Sequence, residues 1–176
     1  MVTDDGSTRG VDRRPDERLD RREEESAKPD GQGALRAGLV GGLFGTVVMT
    51  VFRAPIARSL PPTAAFLAKF VGGRPDDHPA GALALHLLYG IAAGGVFGGL
   101  VAASDGERVA GELGASEETT GLVAGTAYAL ALSAFGERVL LGRLLDMDLE
   151  DDESMIFHAG HVVYGVALGA WVGSRS

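Results

Sequence analysis

The chain has 176 residues, of which 45% are hydrophobic and 27 are Gly, and its 24 acidic and 16 basic side chains give a net charge of −8 at pH 7. It contains no Cys, which excludes disulfides and thiolate chemistry. Its charges are mixed and form no basic patch, so we expect no nucleic-acid partner. The acidic, Ala- and Gly-rich and Lys-poor composition favours a halophilic source, because excess surface charge keeps proteins soluble at high salt.

Residues 1–33 form a charged tail with 10 acids, 7 bases and almost no large apolar side chains. Such a stretch cannot bury enough apolar surface to offset its ordering entropy, so we predict that it is disordered. We expect no cleaved signal peptide, since 33 residues of mixed charge precede the first apolar run. Residues 34–176 form the predicted folded domain.

Four windows without Asp, Glu, Lys or Arg follow the tail, at residues 37–52, 78–104, 119–136 and 154–174. A helix needs roughly 20 mainly apolar residues to span a bilayer. The windows predict four transmembrane helices, at about 34–53, 82–103, 119–141 and 155–173. They offer no polar face for a soluble bundle and do not alternate as barrel strands do. The expected fold is an all-α integral membrane four-helix bundle.

The connection between the first two spans, residues 54–81, predicts a short helix of its own. Pro61-Pro62 can start this helix, residues 63–71 form it, and Gly72-Gly73 can end it. Its apolar residues recur at helical spacing, which favours a helix lying on the bilayer interface; a plain loop is the alternative. The other two connections, 104–118 and 142–154, are acidic.

The second and fourth spans resemble each other in sequence. Residues 86–98 read HLLYGIAAGGVFG and residues 161–173 read HVVYGVALGAWVG, with six of thirteen positions identical. GLVGG at 38–42 matches GLVAG at 121–125 in the same way. We interpret the chain as a duplicated two-helix unit, with repeats at 34–103 and 117–173. Because each unit contains two spans, both enter from the same side, and the repeats are parallel rather than inverted.

Glycines recur every fourth residue in these spans, a spacing that lets helices approach closely in lipid. The predicted packing positions are Gly38, Gly42, Gly90, Gly94, Gly98, Gly121, Gly125, Gly165, Gly169 and Gly173. Such stripes can join helices within one chain or between chains. A homo-oligomer is therefore one of the alternatives.

The candidate polar residues within the membrane are His86, Tyr89, His158, His161 and Tyr164. Residues three apart share a helix face, so each His-x-x-Tyr pair lies on one face. Structural or interfacial anchoring is one interpretation, and a proton or ion pathway is another, since His exchanges protons near neutral pH. Metal or haem ligation is a third. No His pair has i,i+4 spacing, so we predict no metal and no cofactor.

Two further charged groups have simpler interpretations. Glu137 and Arg138 are adjacent, do not face one another on a helix, and are interpreted as interface anchors. The acidic run 146–153 lacks the spacing of a calcium loop and is interpreted as a solvated surface. The sequence contains no phosphate loop, nucleophile elbow or dinucleotide fingerprint, so we predict no catalytic residue and no enzyme.

GLVGGLFGTVVMTVF at 38–52 and GHVVYGVALGAWVG at 160–173 resemble segments of small, uncharacterised four-helix membrane proteins of archaea and bacteria. These are loosely similar to the YagU-like inner-membrane family. The resemblance covers residues 34–173 and implies the fold but no established activity.

The distribution of Lys and Arg favours cytoplasmic N- and C-termini, because the tail, the 104–118 connection and the C-terminus hold 10 of them against 6 in the other two connections. We therefore expect a multi-pass protein of the cell membrane, with the lipid bilayer as its partner. The leading functional expectation is a non-enzymatic helical bundle that can oligomerise. The alternatives are a small proton or ion transporter or channel using the paired His-x-x-Tyr-Gly motifs, and a haem- or metal-binding membrane protein.

Overall fold

The computed structural model of the chain describes residues 31–56, 61–104, 111–112 and 114–175. Its elements are α1 (Gly31–Arg53), α2 (Pro62–Val71), a 3-10 turn (Pro75–Asp77), α3 (Pro79–Ala103), α4 (Glu117–Phe135), a π-helical continuation of α4 (Gly136–Leu145, the π segment) and α5 (Asp151–Gly173). The described part of the chain contains no strand, which confirms the all-helical prediction. The predicted disorder of the tail concerns residues 1–30, which lie outside the described residues, while residues 31–33, also assigned to the tail, form the first turn of α1.

Four of these helices match the predicted spans and are long and apolar enough to cross a membrane: α1, α3, α4 with its π segment, and α5. The short helix predicted between the first two spans is also confirmed, as α2. Pro62 opens it at the first helical position, where its missing N–H has no partner to lose. Gly72 and Gly73 end it with φ of +97° and +84°, a left-handed conformation that favours glycine.

The helices pair into two hairpins through glycine seams, α1 with α3 and α4 with α5. A Cβ placed on Gly94 would lie 2.5 Å from Gly42 Cα, and one on Gly125 would lie 2.7 Å from Gly169 Cα. Backbones this close leave no room for a side chain. All ten predicted packing glycines lie in these two seams, and every contact is between helices of the same chain.

The two hairpins join mainly through α1 and α5. Gly41 and Gly45 form a second glycine face on α1, where a Cβ would lie 3.0 Å from Leu168 Cδ1 and from Tyr164 Cδ2, respectively. In their described parts α3 and α4 pack less closely, and long side chains bridge the space between them. The Tyr128 hydroxyl donates to the Ala93 carbonyl at 2.8 Å, and its ring lies 5.3 Å from that of Phe97.

Replacing Gly94 with Ala should destabilise the bundle by about 1–3 kcal/mol, because the new methyl group meets the backbone of α1 and forces the helices apart. Gly99→Ala is the matched control on the same helix, since a Cβ there has nothing within 4 Å. The control should raise the free energy of unfolding by no more than about 1 kcal/mol. Unfolding in mixed micelles measures the stability of both variants. Equal changes in the two would contradict the close packing of Gly94 against α1.

Candidate functional site

A cavity of about 260 Å³ lies in the half of the bundle where α1 and α4 end and α3 and α5 begin. We call it the chamber. Four of the five predicted polar residues line it, two from each predicted repeat: His86, Tyr89, His161 and Tyr164. The opposite half of the bundle is occupied by the glycine seams. The chamber is therefore at one end of the bundle, where the helices are no longer held together by glycine contacts.

Helix α2 and the π segment cover the chamber. Pro62, Thr63 and Phe66 line it from α2. The Thr63 hydroxyl donates to the Ala82 carbonyl at 2.7 Å, and Lys69 Nζ donates to the Leu144 carbonyl at 2.5 Å. Hydrogen bonds near both ends of α2 therefore attach it to α3 and to the π segment.

The π segment supplies the chamber's wall on the α4 side. A π-helix bonds residues five apart, so its turns are longer than α-turns and residues four, five and nine apart share a face. Gly136, Leu140, Leu141 and Leu145 all line the chamber at this spacing. The segment ends at Asp146, whose φ of +55° is left-handed, with the Met147 N–H donating to the Leu141 carbonyl at 3.0 Å. The chain's periodicity did not indicate this change of helix type.

The two histidines of the chamber differ in their hydrogen bonding. His161 Nδ1 lies 2.9 Å from the Phe157 carbonyl, and since a carbonyl can only accept, this nitrogen carries the proton. In the neutral ring Nε2 is then an acceptor, and it bonds to no described residue. Both ring nitrogens of His86 lack a hydrogen bond within the described residues. His161 Nε2 and both ring nitrogens of His86 are therefore polar atoms of chamber-lining residues that have no hydrogen-bond partner among the described residues.

The two tyrosines differ in the same way. The Tyr164 hydroxyl is buried and donates to the Gly90 carbonyl at 2.8 Å, linking α5 to α3. The Tyr89 hydroxyl has no hydrogen-bond partner among the described residues. Tyr164 therefore supports the wall of the chamber, whereas Tyr89 is available to a ligand.

Arg53, at the end of α1, is a candidate site residue that the sequence did not indicate. It lines the chamber, and its charge acts on both His86 and His161. Its Nε is buried and has no hydrogen-bond partner in the described part of the chain. Gly160 leaves room for the side chain, since a Cβ there would lie 3.0 Å from Arg53 Cδ. One signal was available: in the predicted repeat Arg53 aligns with Gly136, which carries no charge.

His158 does not join the chamber. Its Nδ1 lies 2.9 Å from Ser133 Oγ and its Nε2 lies 2.9 Å from Glu137 Oε2, while the Ser154 hydroxyl donates to Glu137 Oε1 at 2.5 Å. Glu137, interpreted from the sequence as an interface anchor, instead ties the end of α4 to α5. The sequence did not indicate this contact, because Glu137 stands next to Arg138 in the chain, whereas its partner His158 is 21 residues away.

The metal interpretation gains no geometric support, because His158 and His161 take different partners. In the part of the chain that the structure describes, no group of three or more His, Asp or Glu side chains is arranged to hold a metal ion.

Comparison of the chain with protein-family models, with curated proteins and with solved structures found no match. The resemblance to YagU-like membrane proteins stays a prediction, and the function has to be argued from the chamber itself.

Tyr164→Phe and Tyr89→Phe form a matched pair across the two predicted repeats. Losing the Tyr164 hydroxyl removes the bond between α5 and α3 and should lower the free energy of unfolding by about 1 kcal/mol. Tyr89→Phe should leave stability nearly unchanged. Unfolding in mixed micelles compares the two variants. An equal loss of stability in both would contradict the different roles of the two hydroxyls.

Glu137→Gln should destabilise the packing of the π segment on α5 by about 1 kcal/mol, because it replaces the carboxylate that bonds His158 and Ser154. The loss stays this small because the side chains of Glu137 and His158 are partly exposed to solvent. Arg138→Gln is the neighbouring control, since Arg138 is exposed. Thermal unfolding of the detergent-solubilised protein reports both changes. A loss as large in the control would show that Glu137 acts only as a surface charge.

Proposed function

We propose that the chain is a multi-pass integral membrane protein of the cell membrane that binds a small solute or ion in the chamber as a step of its transport. Its four long apolar helices support the membrane assignment. The observation that carries the transport proposal is the convergence of His86, Tyr89, His161 and Tyr164 on one cavity. Ionisable groups inside a membrane bundle are expensive, and they characteristically mark solute or ion pathways.

The position of the chamber supports the same proposal. It lies between the two predicted repeats, and substrate sites of transporters built from repeats lie at such interfaces. The bilayer would surround the helices, with the N- and C-termini on the cytoplasmic side, as the distribution of Lys and Arg favours. The chamber then lies in the half of the bundle facing away from the cytoplasm, and the glycine seams lie in the cytoplasmic half.

A purely structural bundle explains the site less well. Structural packing accounts for Tyr164, which is hydrogen-bonded, but not for His161 Nε2 and the two ring nitrogens of His86, which have no hydrogen-bond partner among the described residues. The case for a homo-oligomer also weakens, because the glycine stripes that suggested it are used within one chain. We therefore prefer a binding and transport role to an assembly role.

A flux screen in proteoliposomes tests the proposal. It should cover protons, sodium, chloride and a permanently charged organic anion, with empty vesicles as the baseline. We expect at least one solute to cross faster with the protein present. The double change His86→Ala and His161→Ala removes two hydrogen-bonding rings worth about 1 kcal/mol each, and should lower that flux by roughly tenfold or more.

His78→Ala is the control for these variants. His78 lies at the start of α3 outside the chamber, where its Nε2 is 3.2 Å from the Gly72 carbonyl. Its replacement should leave the flux unchanged. Absence of any flux above empty vesicles, or an equal decrease with His78→Ala, would refute the transport proposal.

A further inference from the structure

We propose that the ligand of the chamber is a small organic anion with an apolar body, whose acidic group binds Arg53. This inference rests on the function proposed above and names the class of substrate. It depends on three features of the chamber: the charge of its wall, the hydrogen-bonding groups beside that charge, and the apolar character of the remaining surface.

The wall of the chamber carries a positive charge. Among the described residues that line it, Arg53 alone is permanently charged. The acid that acts on Arg53 is Glu153, near the start of α5, and it does so through space rather than by a hydrogen bond. The buried Nε–H of Arg53 has no acceptor among the described residues, which is unfavourable. A carboxylate or sulfonate would supply acceptors that match the planar donor geometry of the guanidinium.

The neighbouring groups are consistent with an anion and argue against a cation. The Tyr89 hydroxyl can donate to an acidic group, as can either nitrogen of His86 when it carries a proton. His161 Nε2 is an acceptor in the neutral ring, so it suits a ligand hydroxyl or N–H rather than the acidic group itself. A cation would meet the charge of Arg53, which already acts on both histidines.

Most of the remaining wall is apolar, with Met49, Phe66, Leu132, Leu141 and Phe157 among the lining residues. A hydrated halide would leave this surface in contact with water. An organic anion would place its apolar body against it, in the combination of an apolar pocket and a few polar groups that is usual for small-molecule sites. The volume of about 260 Å³ fits a ligand of a few carbon atoms up to one aromatic ring.

The lack of Cys in the chain permits a direct test with a single introduced thiol. Leu132→Cys places it in the chamber wall on α4. In vesicles, the thiol is labelled with methanethiosulfonates carrying either an ethylsulfonate or an ethyltrimethylammonium group. Each rate is divided by that reagent's rate with glutathione, so that only the effect of the protein remains.

The anionic reagent should react at least about tenfold faster than the cationic one after this correction, because a charged cleft concentrates counter-ions. Arg53→Gln should bring the ratio to about one, whereas Arg138→Gln, which removes an exposed charge in the π segment, should leave it unchanged. Glu153→Gln should raise the ratio by removing a competing charge. If Leu132→Cys does not fold, Leu85→Cys on α3, which also lines the chamber, replaces it.

Protection from labelling tests the ligand class. Benzenesulfonate should slow the reaction of the thiol in a way that requires Arg53, and benzenesulfonamide or sodium chloride at equal concentration should not. Equal protection by the sulfonamide would refute the claim that the ligand is an anion. Equal protection by chloride would refute the claim that the ligand has an apolar body. If neither labelling reagent reaches the thiol, the chamber is closed to solutes and the proposed function fails with it.

Discussion

Close backbone contact through glycine is the constraint on which the rest of this structure depends. Within lipid, apolar side chains gain little by associating with one another, so helices must hold each other by van der Waals packing at short range. Here the seams α1–α3 and α4–α5 supply that packing over one half of the bundle. Beyond Gly90 and Gly125 the glycine contacts end, and larger side chains separate the helices. The chamber is the space that this change produces.

The two predicted repeats contribute corresponding positions to the chamber but not equal roles. Tyr164 is committed to a hydrogen bond with α3, while Tyr89 has none among the described residues. In the predicted repeat Arg53 aligns with Gly136, an uncharged position against which the Phe157 ring packs. The two predicted repeats therefore line the chamber unequally, and Arg53 is the one permanently charged residue among its described lining residues.

Local sequence was sufficient to predict the four long helices, α2 and the packing glycines, because apolar runs, prolines and small residues act where they stand. It placed His86 with Tyr89, and His161 with Tyr164, on one helix face each. It also grouped His158 with them, and only the fold shows that the first four line one cavity. The π segment was not predicted: Gly136 packs against Phe157 and Leu141 is buried, and the local sequence shows neither contact. The roles of Arg53 and Glu137 depend on Gly160 and His158, which are distant in the chain and visible only in the fold.

The fastening of α2 has a consequence for how the sequence can change over time. Both of its side-chain bonds end on backbone carbonyls, those of Ala82 and Leu144. A carbonyl is present whatever residue occupies its position, so replacements at 82 and 144 keep the acceptor. A change at Thr63 or Lys69 removes a donor, whereas the acceptors persist, so the hydrogen-bonding constraint on this cover falls on α2. Packing still constrains position 82, because Ala82 is fully buried.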